Sequence, residues 1–366
     1  MIMQKIIALA EKVLNGQDIT KEEAEYLINV SDDDTMVLLS MADKIRQKYA
    51  GNEVDCCAII NGRSGKCSEN CKFCAQSAHY HTGVKEYGLL SEEEIFNAAK
   101  KAKEAGAVRF SIVTSGRGQS KADDFENICR TLKRIKEELH IEVCASLGIL
   151  TVEQAQELRK VGVTRYHSNL ETAGSNFPNI CTTHTYADKF VTIKNAQAAG
   201  LRVCSGGILG LGETREQRVE WAFTLKELGI DSVPLNMLTP IPGTPFENNK
   251  PLSPLEILRA FAVFRFVLPK AQIRTAGGRE VNLRDLQSMA LNGGSKKAPP
   301  RISTTSATLS SEVWRQSSAN LGISVAGRLS MQKKFKSSSV RTTCVLPAPD
   351  IPVIIRKCDC ILLHLL

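Results

Sequence analysis

Three cysteines lie close together in a segment of small and polar residues. Cys67 and Cys71 are separated by three residues, and Cys71 and Cys74 by two. Thiolates at this spacing can converge on one metal centre, but a tetrahedral zinc ion or an all-cysteine cluster needs a fourth protein ligand. None follows at a fixed short distance. A cubane iron–sulfur cluster on three thiolates leaves one iron open to a small molecule, and a zinc knuckle or three unrelated buried thiols is the alternative.

The residues around these cysteines narrow the choice. Phe73 precedes the last cysteine, and the pattern Cys-x3-Cys-x-aromatic-Cys resembles the radical S-adenosylmethionine (SAM) superfamily. The flanking segments 61–65 (Asn-Gly-Arg-Ser-Gly) and 75–81 (Ala-Gln-Ser-Ala-His-Tyr-His) closely resemble the biotin synthase family. The resemblance implies a 4Fe-4S cluster on the three cysteines, with the amino and carboxylate groups of SAM on the open iron.

A glycine-rich segment supplies a second candidate site. Residues 206–213 read Gly-Gly-Ile-Leu-Gly-Leu-Gly-Glu and follow the segment Val203-Cys204-Ser205. Such glycines let the backbone approach a ligand closely, although a tight strand-to-helix turn explains them about as well. The segment matches the Gly-x-Ile-x-Gly-x-x-Glu pattern of radical SAM enzymes. That match implies positions beside the adenine of SAM for four residues, Gly206, Gly207, Gly210 and Glu213.

Polar residues at two other strand ends complete the expected ligand-binding mouth. Asn169 and Glu171 match in type the residues that the family keeps for the SAM ribose and the ureido ring of the substrate. Glu171 can accept hydrogen bonds from ribose hydroxyls, and Asn169 is expected to serve both ligands. Asn236 is a further candidate for substrate binding, although an amide at the edge of the core explains it equally well.

Cys144 and Cys204 lie within predicted strands, where a single cysteine is usually a small core residue. The resemblance implies another role, because the biotin synthase family holds an auxiliary iron–sulfur cluster inside its barrel with three strand cysteines and one arginine. Cys144, Cys204 and Arg274 match three of these ligands. The fourth position falls on Ser111, whose oxygen is a harder and poorer ligand for iron than a thiolate. The sequence therefore does not decide whether the auxiliary cluster is of the expected 2Fe-2S type. Cys129 lies on a predicted helix and is an unlikely replacement for the missing cysteine ligand.

A barrel would bring these residues together. Three helices are predicted over residues 1–50, and short apolar runs then alternate with helical stretches over residues 51–294, which indicates strand–helix units around a parallel sheet. The predicted strands span 55–60, 109–114, 142–147, 163–170, 202–209, 232–238 and 272–276. The pattern favours a TIM-type (β/α)8 barrel with an N-terminal helical extension and an uncertain last strand, whose chemistry lies at the C-terminal strand ends. A doubly wound sheet is the alternative.

The net charge of +8 resides in the C-terminal segment. Residues 295–366 carry eleven Lys and Arg against three acidic residues, so residues 1–294 are neutral and their charge does not indicate a nucleic-acid partner. This basic segment lacks the strand–helix pattern, and we expect it to be disordered or the product of a frameshift. The first ten residues predict an amphipathic helix instead of a signal peptide or membrane span, which favours a reducing, cytoplasmic compartment.

The resemblance covers about residues 7–294 and implies the last step of biotin synthesis, sulfur insertion into dethiobiotin. In that reaction SAM is cleaved to methionine and a 5′-deoxyadenosyl radical, the radical removes hydrogen from two carbons, and the auxiliary cluster supplies sulfur. A flavodoxin or ferredoxin donor and a homodimer are implied, without nucleic acid or membrane. The alternatives are another radical SAM barrel, of hydrogenase-maturation or methylornithine-forming type, and a non-enzymatic metal-binding module.

Overall fold

A computed structural model describes residues 1–51, 57–119 and 121–292. The helices are α1 (Ile2–Leu14), α2 (Lys21–Ile28), α3 (Asp32–Tyr49), α4 (Glu92–Glu104), α5 (Ala122–Leu139), α6 (Val152–Lys160), α7 (Phe177–Ile180), α8 (Tyr186–Ala198), α9 (Arg215–Glu227), α10 (Pro254–Val267), α11 (Arg279–Asn282) and α12 (Gln287–Asn292). The strands are β1 (Cys57–Arg63), β2 (Arg109–Thr114), β3 (Glu142–Ser146), β4 (Val163–His167), β5 (Arg202–Cys204), β6 (Gly207–Leu209), β7 (Ser232–Met237) and β8 (Gln272–Thr275). The start of the first predicted strand and the predicted tail over 295–366 lie outside the described residues.

The strands form one parallel sheet in chain order. Neighbouring pairs run from β1 to β5, then both β5 and β6 pair with β7, and β8 pairs with β7. This order excludes the doubly wound alternative, whose strand order reverses at a switch point. Arg274 on β8 donates a hydrogen bond from Nη1 to Cys57 Sγ on β1 at 3.3 Å, so the two ends of the sheet approach each other. The predicted TIM-type fold is confirmed as a curled, partial barrel.

The predicted strand over 202–209 is two short strands. Between β5 and β6, the N–H of Gly206 donates to Asn169 Oδ1 at 3.2 Å instead of to a neighbouring strand. A Cβ atom at Gly206 would lie 1.9 Å from the carbonyl oxygen of Pro234, so only glycine fits this close approach to β7. The interruption therefore belongs to the glycine-rich segment, and the apolar pattern alone did not reveal it.

Most helices begin where the sequence supplies a capping residue. Capping boxes, in which a side-chain oxygen and the third helical residue satisfy each other's backbone N–H groups, start five helices. The N-cap residues of these boxes are Thr20, Ser91, Thr151, Thr185 and Thr214. Three short helices, α7, α11 and α12, were not predicted because four to six residues are too few to show helical periodicity.

Helix α10 joins the barrel to the N-terminal helices. All its residues from Ile257 to Val267 are buried, and it packs against α2, α3 and α9. Arg259, 1% exposed, donates to Thr35 Oγ1 at 3.2 Å and to Glu256 Oε2 at 3.2 Å, and it forms an ion pair with Asp32. The N-terminal helices are thus bound to the barrel by apolar packing and by a buried charge.

None of the helices described here is long and apolar enough to cross a lipid bilayer.

Candidate active site

The segment with the three neighbouring cysteines directly follows β1 and folds back on itself. The N–H of Cys67 donates to the carbonyl of Gln76 at 2.9 Å, and the N–H of Ala78 donates to the carbonyl of Cys67 at 2.8 Å. A turn closes between Cys71 and Cys74, where the N–H of Cys74 donates to the Cys71 carbonyl at 2.9 Å. The structure therefore places the segment at the C-terminal end of a barrel strand, where the chemistry of such folds occurs.

Two polar side chains fix this cysteine loop to the segment that follows α7. Glu69 is 7% exposed, and its Oε2 accepts hydrogen bonds from Thr183 Oγ1 at 2.8 Å and from His184 Nδ1 at 2.6 Å. Asn70 Oδ1 accepts from the N–H groups of Thr182 at 2.9 Å and Thr183 at 3.2 Å. Several hydrogen bonds therefore hold each of these side chains and fasten the cysteine loop to this segment.

The cysteine side chains in the loop are half-buried. Burial raises the pKa of Cys74 to about 11. The pKa of Cys71 is also raised, because its S–H donates to Cys181 and because the loop is shielded from water. Metal binding must therefore remove the thiol protons.

The donor set of the loop fits a cluster better than a single ion. Among the described residues, the only group of three ligand atoms all within 4.8 Å of one another is Cys71, Cys181 and His184. The sulfurs of Cys67, Cys71 and Cys74 are spread more widely. This wider spacing suits a group that places iron and sulfide between its thiolates.

Glu171 and the glycine-rich segment approach each other closely. Glu171 has a left-handed backbone, with φ of 71°, and its carbonyl accepts from the N–H of Ile208 at 2.9 Å. A Cβ atom at Gly207 would lie 2.1 Å from that carbonyl oxygen, and Gly206 is equally crowded by Pro234. The negative charge of Glu171 contributes to the raised pKa of Cys74, so this carboxylate lies near the cysteine loop. The expected grouping of Glu171, Gly206 and Gly207 is thus present.

Three other expected ligand-binding residues make internal hydrogen bonds. Asn169 Oδ1 accepts a hydrogen bond from the N–H of Gly206. Asn236 Nδ2 donates to the Gly207 carbonyl at 2.9 Å, and Asn236 Oδ1 accepts from the Gly277 N–H at 2.9 Å. The carboxylate of Glu213, which is 6% exposed, accepts from the Gly210 N–H at 2.9 Å and from Arg218 Nε at 2.8 Å. These bonds shape the backbone of the glycine-rich segment.

A second set of sulfur and arginine side chains lies inside the barrel. Ser111 and Cys144 are paired neighbours on β2 and β3. Arg274 Nε donates to Ser232 Oγ at 3.1 Å, and Ser232 Oγ donates to Cys204 Sγ at 3.3 Å. Cys144, Cys204 and Ser111 are each at most 2% exposed. Cys129 lies instead on helix α5.

Cys57 belongs to this interior set, and the sequence analysis missed it. Its Sγ accepts from Arg274 Nη1 at 3.3 Å, and its thiolate charge contributes to the raised pKa of Cys144, so the two sulfurs are near each other. Burial is the main cause of that shift and raises the pKa of Cys144 to about 12. The signal available in the sequence was only a cysteine at the start of the first strand.

The interior set fits an anionic group with several acceptor atoms. Ser111 Oγ, Arg165 Nε and His167 Nε2 are buried without a hydrogen-bond partner in the part of the chain that the structure describes. Although burial opposes ionisation, His167 and Arg274 lower the pKa of Cys204 to about 6. Unsatisfied donors beside an ionised thiol are costly unless a ligand occupies the space between them.

Two protein-family models match this chain. The model of the radical SAM superfamily matches residues 63–225, and the model of the Biotin and Thiamin Synthesis associated domain matches residues 234–299. The solved structure of methylornithine synthase has a TM-score of 0.73 at 21% identity, covering 90% of this chain and 99% of that one. The FeFe-hydrogenase maturase HydG from Carboxydothermus hydrogenoformans has a TM-score of 0.70 at 19% identity, covering 82% and 71%. At these identities the likeness shows the fold.

Curated relatives are much more similar. The biotin synthase of Carboxydothermus hydrogenoformans is 52% identical over 294 residues, which are 80% of this chain and 90% of that protein. The biotin synthase of Geobacter sulfurreducens is 47% identical over 319 residues, which are 87% of this chain and 97% of that protein. The chain therefore belongs to the biotin synthase family of radical SAM enzymes.

Proposed function

We propose that this chain converts dethiobiotin to biotin, the reaction for which its relatives are named. The observation that carries the proposal is the presence of two separate sulfur-ligand sets in one barrel. One set is the loop with Cys67, Cys71 and Cys74 at the C-terminal strand ends, and the other lies among the strands. Two sets are what a reaction needs that both generates a radical and supplies a sulfur atom.

The cysteine loop is proposed to hold a 4Fe-4S cluster that binds SAM. With SAM bound, such a cluster supplies a carbon radical able to remove hydrogen from an unactivated carbon. The protein positions the cluster and SAM and shields the radical from solvent. Glu69 and Asn70 hold the loop in place, and the crowded contact of Gly207 with Glu171 brings backbone close to the expected nucleoside. The Glu171 carboxylate is proposed to accept hydrogen bonds from the ribose hydroxyls.

Glu213 and Asn236 are proposed to act indirectly. The carboxylate of Glu213 holds the Gly210 N–H and the buried Arg218, so its role is to shape the glycine-rich segment. Asn236 has one backbone partner on each side, which positions the segment against β7. Asn169 combines a backbone bond to Gly206 with a half-buried amide N–H2 group that can reach a ligand.

The interior set is proposed to hold the auxiliary iron–sulfur cluster. We assign Cys57, Cys144, Cys204 and Arg274 as its ligands, with Cys57 supplying the third thiolate that Ser111 cannot. The support is the contact of Cys57 with Arg274 and its nearness to Cys144. Ser111 keeps a buried hydroxyl beside Cys144, where it can donate a hydrogen bond to the bound group.

The proposed partners follow from the reaction. Dethiobiotin is the substrate, a flavodoxin or ferredoxin supplies electrons, and the active assembly is a homodimer. A reducing, cytoplasmic compartment is proposed because iron–sulfur ligands must remain reduced. In agreement with this proposal, none of the eight described cysteines forms a disulfide bond: Cys57, Cys67, Cys71, Cys74, Cys129, Cys144, Cys181 and Cys204.

The test is anaerobic reconstitution of the full chain with iron and sulfide. The protein is then reduced in the presence of SAM and dethiobiotin. We expect 5′-deoxyadenosine and biotin from the parent protein and neither from Cys71→Ala. Cys129→Ala is the matched control, because Cys129 is a buried thiol outside both sets, and it should form both products. SAM cleavage at the parental rate in Cys71→Ala would show that the loop is not the radical-generating site.

A further inference from the structure

We infer that Cys71, Cys181 and His184 form a mononuclear site for a borderline-soft divalent transition cation such as Zn²⁺ in the cluster-free protein. The part of this inference that concerns competition with the 4Fe-4S cluster rests on the proposed function, because it needs Cys71 to be a cluster ligand. The binding site itself does not depend on that role.

The distances fit a single ion. Cys71 Sγ lies 3.7 Å from Cys181 Sγ, and Cys181 Sγ lies 3.2 Å from His184 Nδ1. A tetrahedral zinc ion with Zn–S bonds of about 2.3 Å and Zn–N bonds of about 2.05 Å would separate these pairs by roughly 3.8 Å and roughly 3.6 Å. All three ligand atoms lie within 4.8 Å of one another. An ion can enter after a small outward movement of the imidazole.

The chemistry of the donors selects the class of metal. Two thiols and one imidazole favour Zn²⁺, Co²⁺ or Fe²⁺ over the oxygen-preferring Mg²⁺ and Ca²⁺. Both sulfurs bind the dication as thiolates, so the Cys71 proton that is donated to Cys181 is released to solvent. A metal on His184 Nδ1 would replace the hydrogen bond between this nitrogen and Glu69 Oε2, which is 2.6 Å long, and water would complete the fourth position.

The site is built into the fold and is reachable from outside. Cys181 and His184 are 3% and 7% exposed, whereas Cys71 is half-buried and so is partly accessible to solvent. The backbone on both sides is fixed, since the Lys72 N–H donates to the Ile180 carbonyl at 2.9 Å and Asn70 holds Thr182. A fixed backbone keeps the three donors together at little entropic cost.

Occupancy of this site and of the cluster site exclude each other. A cluster holds Cys71 apart from other thiolates by its own iron and sulfide, whereas a mononuclear ion draws Cys71 towards Cys181. One sulfur cannot satisfy both geometries. Zinc at this site therefore blocks assembly of the 4Fe-4S cluster, and an intact cluster removes one ligand from the zinc site.

Cobalt binding to the full-length, cluster-free protein under anaerobic conditions tests the site. We expect one Co²⁺ per chain with the intense visible bands and sulfur-to-metal charge transfer of a tetrahedral thiolate site, displaced by Zn²⁺. Cys181→Ser and His184→Gln should each weaken this binding by about 100-fold. Cys67→Ser and Cys74→Ser should leave it unchanged, and Cys144→Ala identifies any band from the barrel interior. Circular dichroism checks that each variant is folded.

The opposite pattern overturns the inference. If Co²⁺ binding is lost in Cys67→Ser and Cys74→Ser but kept in Cys181→Ser and His184→Gln, the ion sits on the cysteine loop. Absence of tetrahedral Co²⁺ bands in the parent protein has the same consequence.

Competition is tested by adding one equivalent of Zn²⁺ before reconstitution with iron and sulfide. We expect the 4Fe-4S absorbance and electron paramagnetic resonance signal to be suppressed in the parent protein and restored in Cys181→Ser. Equal suppression in both proteins would contradict the competition. A failure to form the cluster without zinc would count against the proposed function and leave the cobalt result intact.

Discussion

Cys144 separates the two chemical tasks proposed for the barrel. It lies among the strands, fully buried, and not in the loop that is proposed to hold the radical-generating cluster. We expect Cys144→Ala to lower biotin formation by at least about 100-fold while SAM is still cleaved. The measurement is chromatography of 5′-deoxyadenosine and biotin from one reaction. Biotin formation at the parental rate would remove Cys144 from the auxiliary site.

Substitutions at Cys57 and Ser111 test which of the two residues is a ligand of the proposed auxiliary cluster. Cys57→Ser should lose the auxiliary iron and sulfide, because it removes the thiolate that contacts Arg274. Ser111→Cys in the Cys57→Ser protein should restore part of that metal, since Ser111 on β2 is paired with Cys144 on the neighbouring strand β3. Iron and sulfide quantitation with electron paramagnetic resonance checks both variants. If the auxiliary iron content is unchanged in Cys57→Ser, Cys57 is not a ligand and Ser111 is again the candidate.

At this scale the sequence predicts residues whose motif is local and misses those that meet across the fold. Cys67, Cys71 and Cys74 are evident from spacing alone. Cys57 is not, because its neighbour Arg274 is 217 residues away and no short pattern joins them. Cys181 was overlooked for the same reason, since it meets Cys71 only through the contact between the cysteine loop and the segment after α7.

Among the elements, α10 gives the clearest stability prediction. Arg259 is buried between the barrel and α3, so replacing it with alanine removes both packing and the ion pair with Asp32. We expect Arg259→Ala to lower the free energy of unfolding by about 3 kcal/mol. Urea denaturation followed by circular dichroism measures the change.

The matched control is an exposed ion pair on the neighbouring helix. Lys21 Nζ lies 4.0 Å from Glu25 and more than half of its side chain is exposed, so Lys21→Ala should change the free energy of unfolding by less than about 0.5 kcal/mol. Equal effects of the two substitutions would mean that Arg259 does not fasten the N-terminal helices.

The long elements could be predicted because local signals agree with the fold. The sequence predicts helices over Lys21–Ile28 and Pro254–Val267, which are the observed bounds of α2 and α10, and a capping residue stands before each. The break between β5 and β6 could not be predicted, since it depends on Asn169 from the loop after β4 and on Pro234 from β7. Tertiary contacts of this kind override an apolar run that is otherwise typical of one strand.

For the whole molecule, the basic segment over 295–366 yields a prediction from sequence. Its composition predicts poor packing, so limited proteolysis of the full chain should cut first between Ser295 and Lys336. Mass spectrometry of the earliest fragments identifies the site. The described barrel should persist as a fragment of about 290 residues. An intact chain at protease levels that cleave an unfolded control protein would show that this segment is folded.

The contact between Glu69 and His184 spans 115 residues of chain, and that between Cys57 and Arg274 spans 217. During synthesis at roughly 5–20 residues per second, the cysteine loop leaves the ribosome several seconds before His184 exists to hold it. The interior set waits longer still, until nearly the whole barrel has been made. Neither set of thiols is preorganised on the nascent chain, so we expect the iron of both proposed clusters to be delivered after translation, to a protein that is already folded.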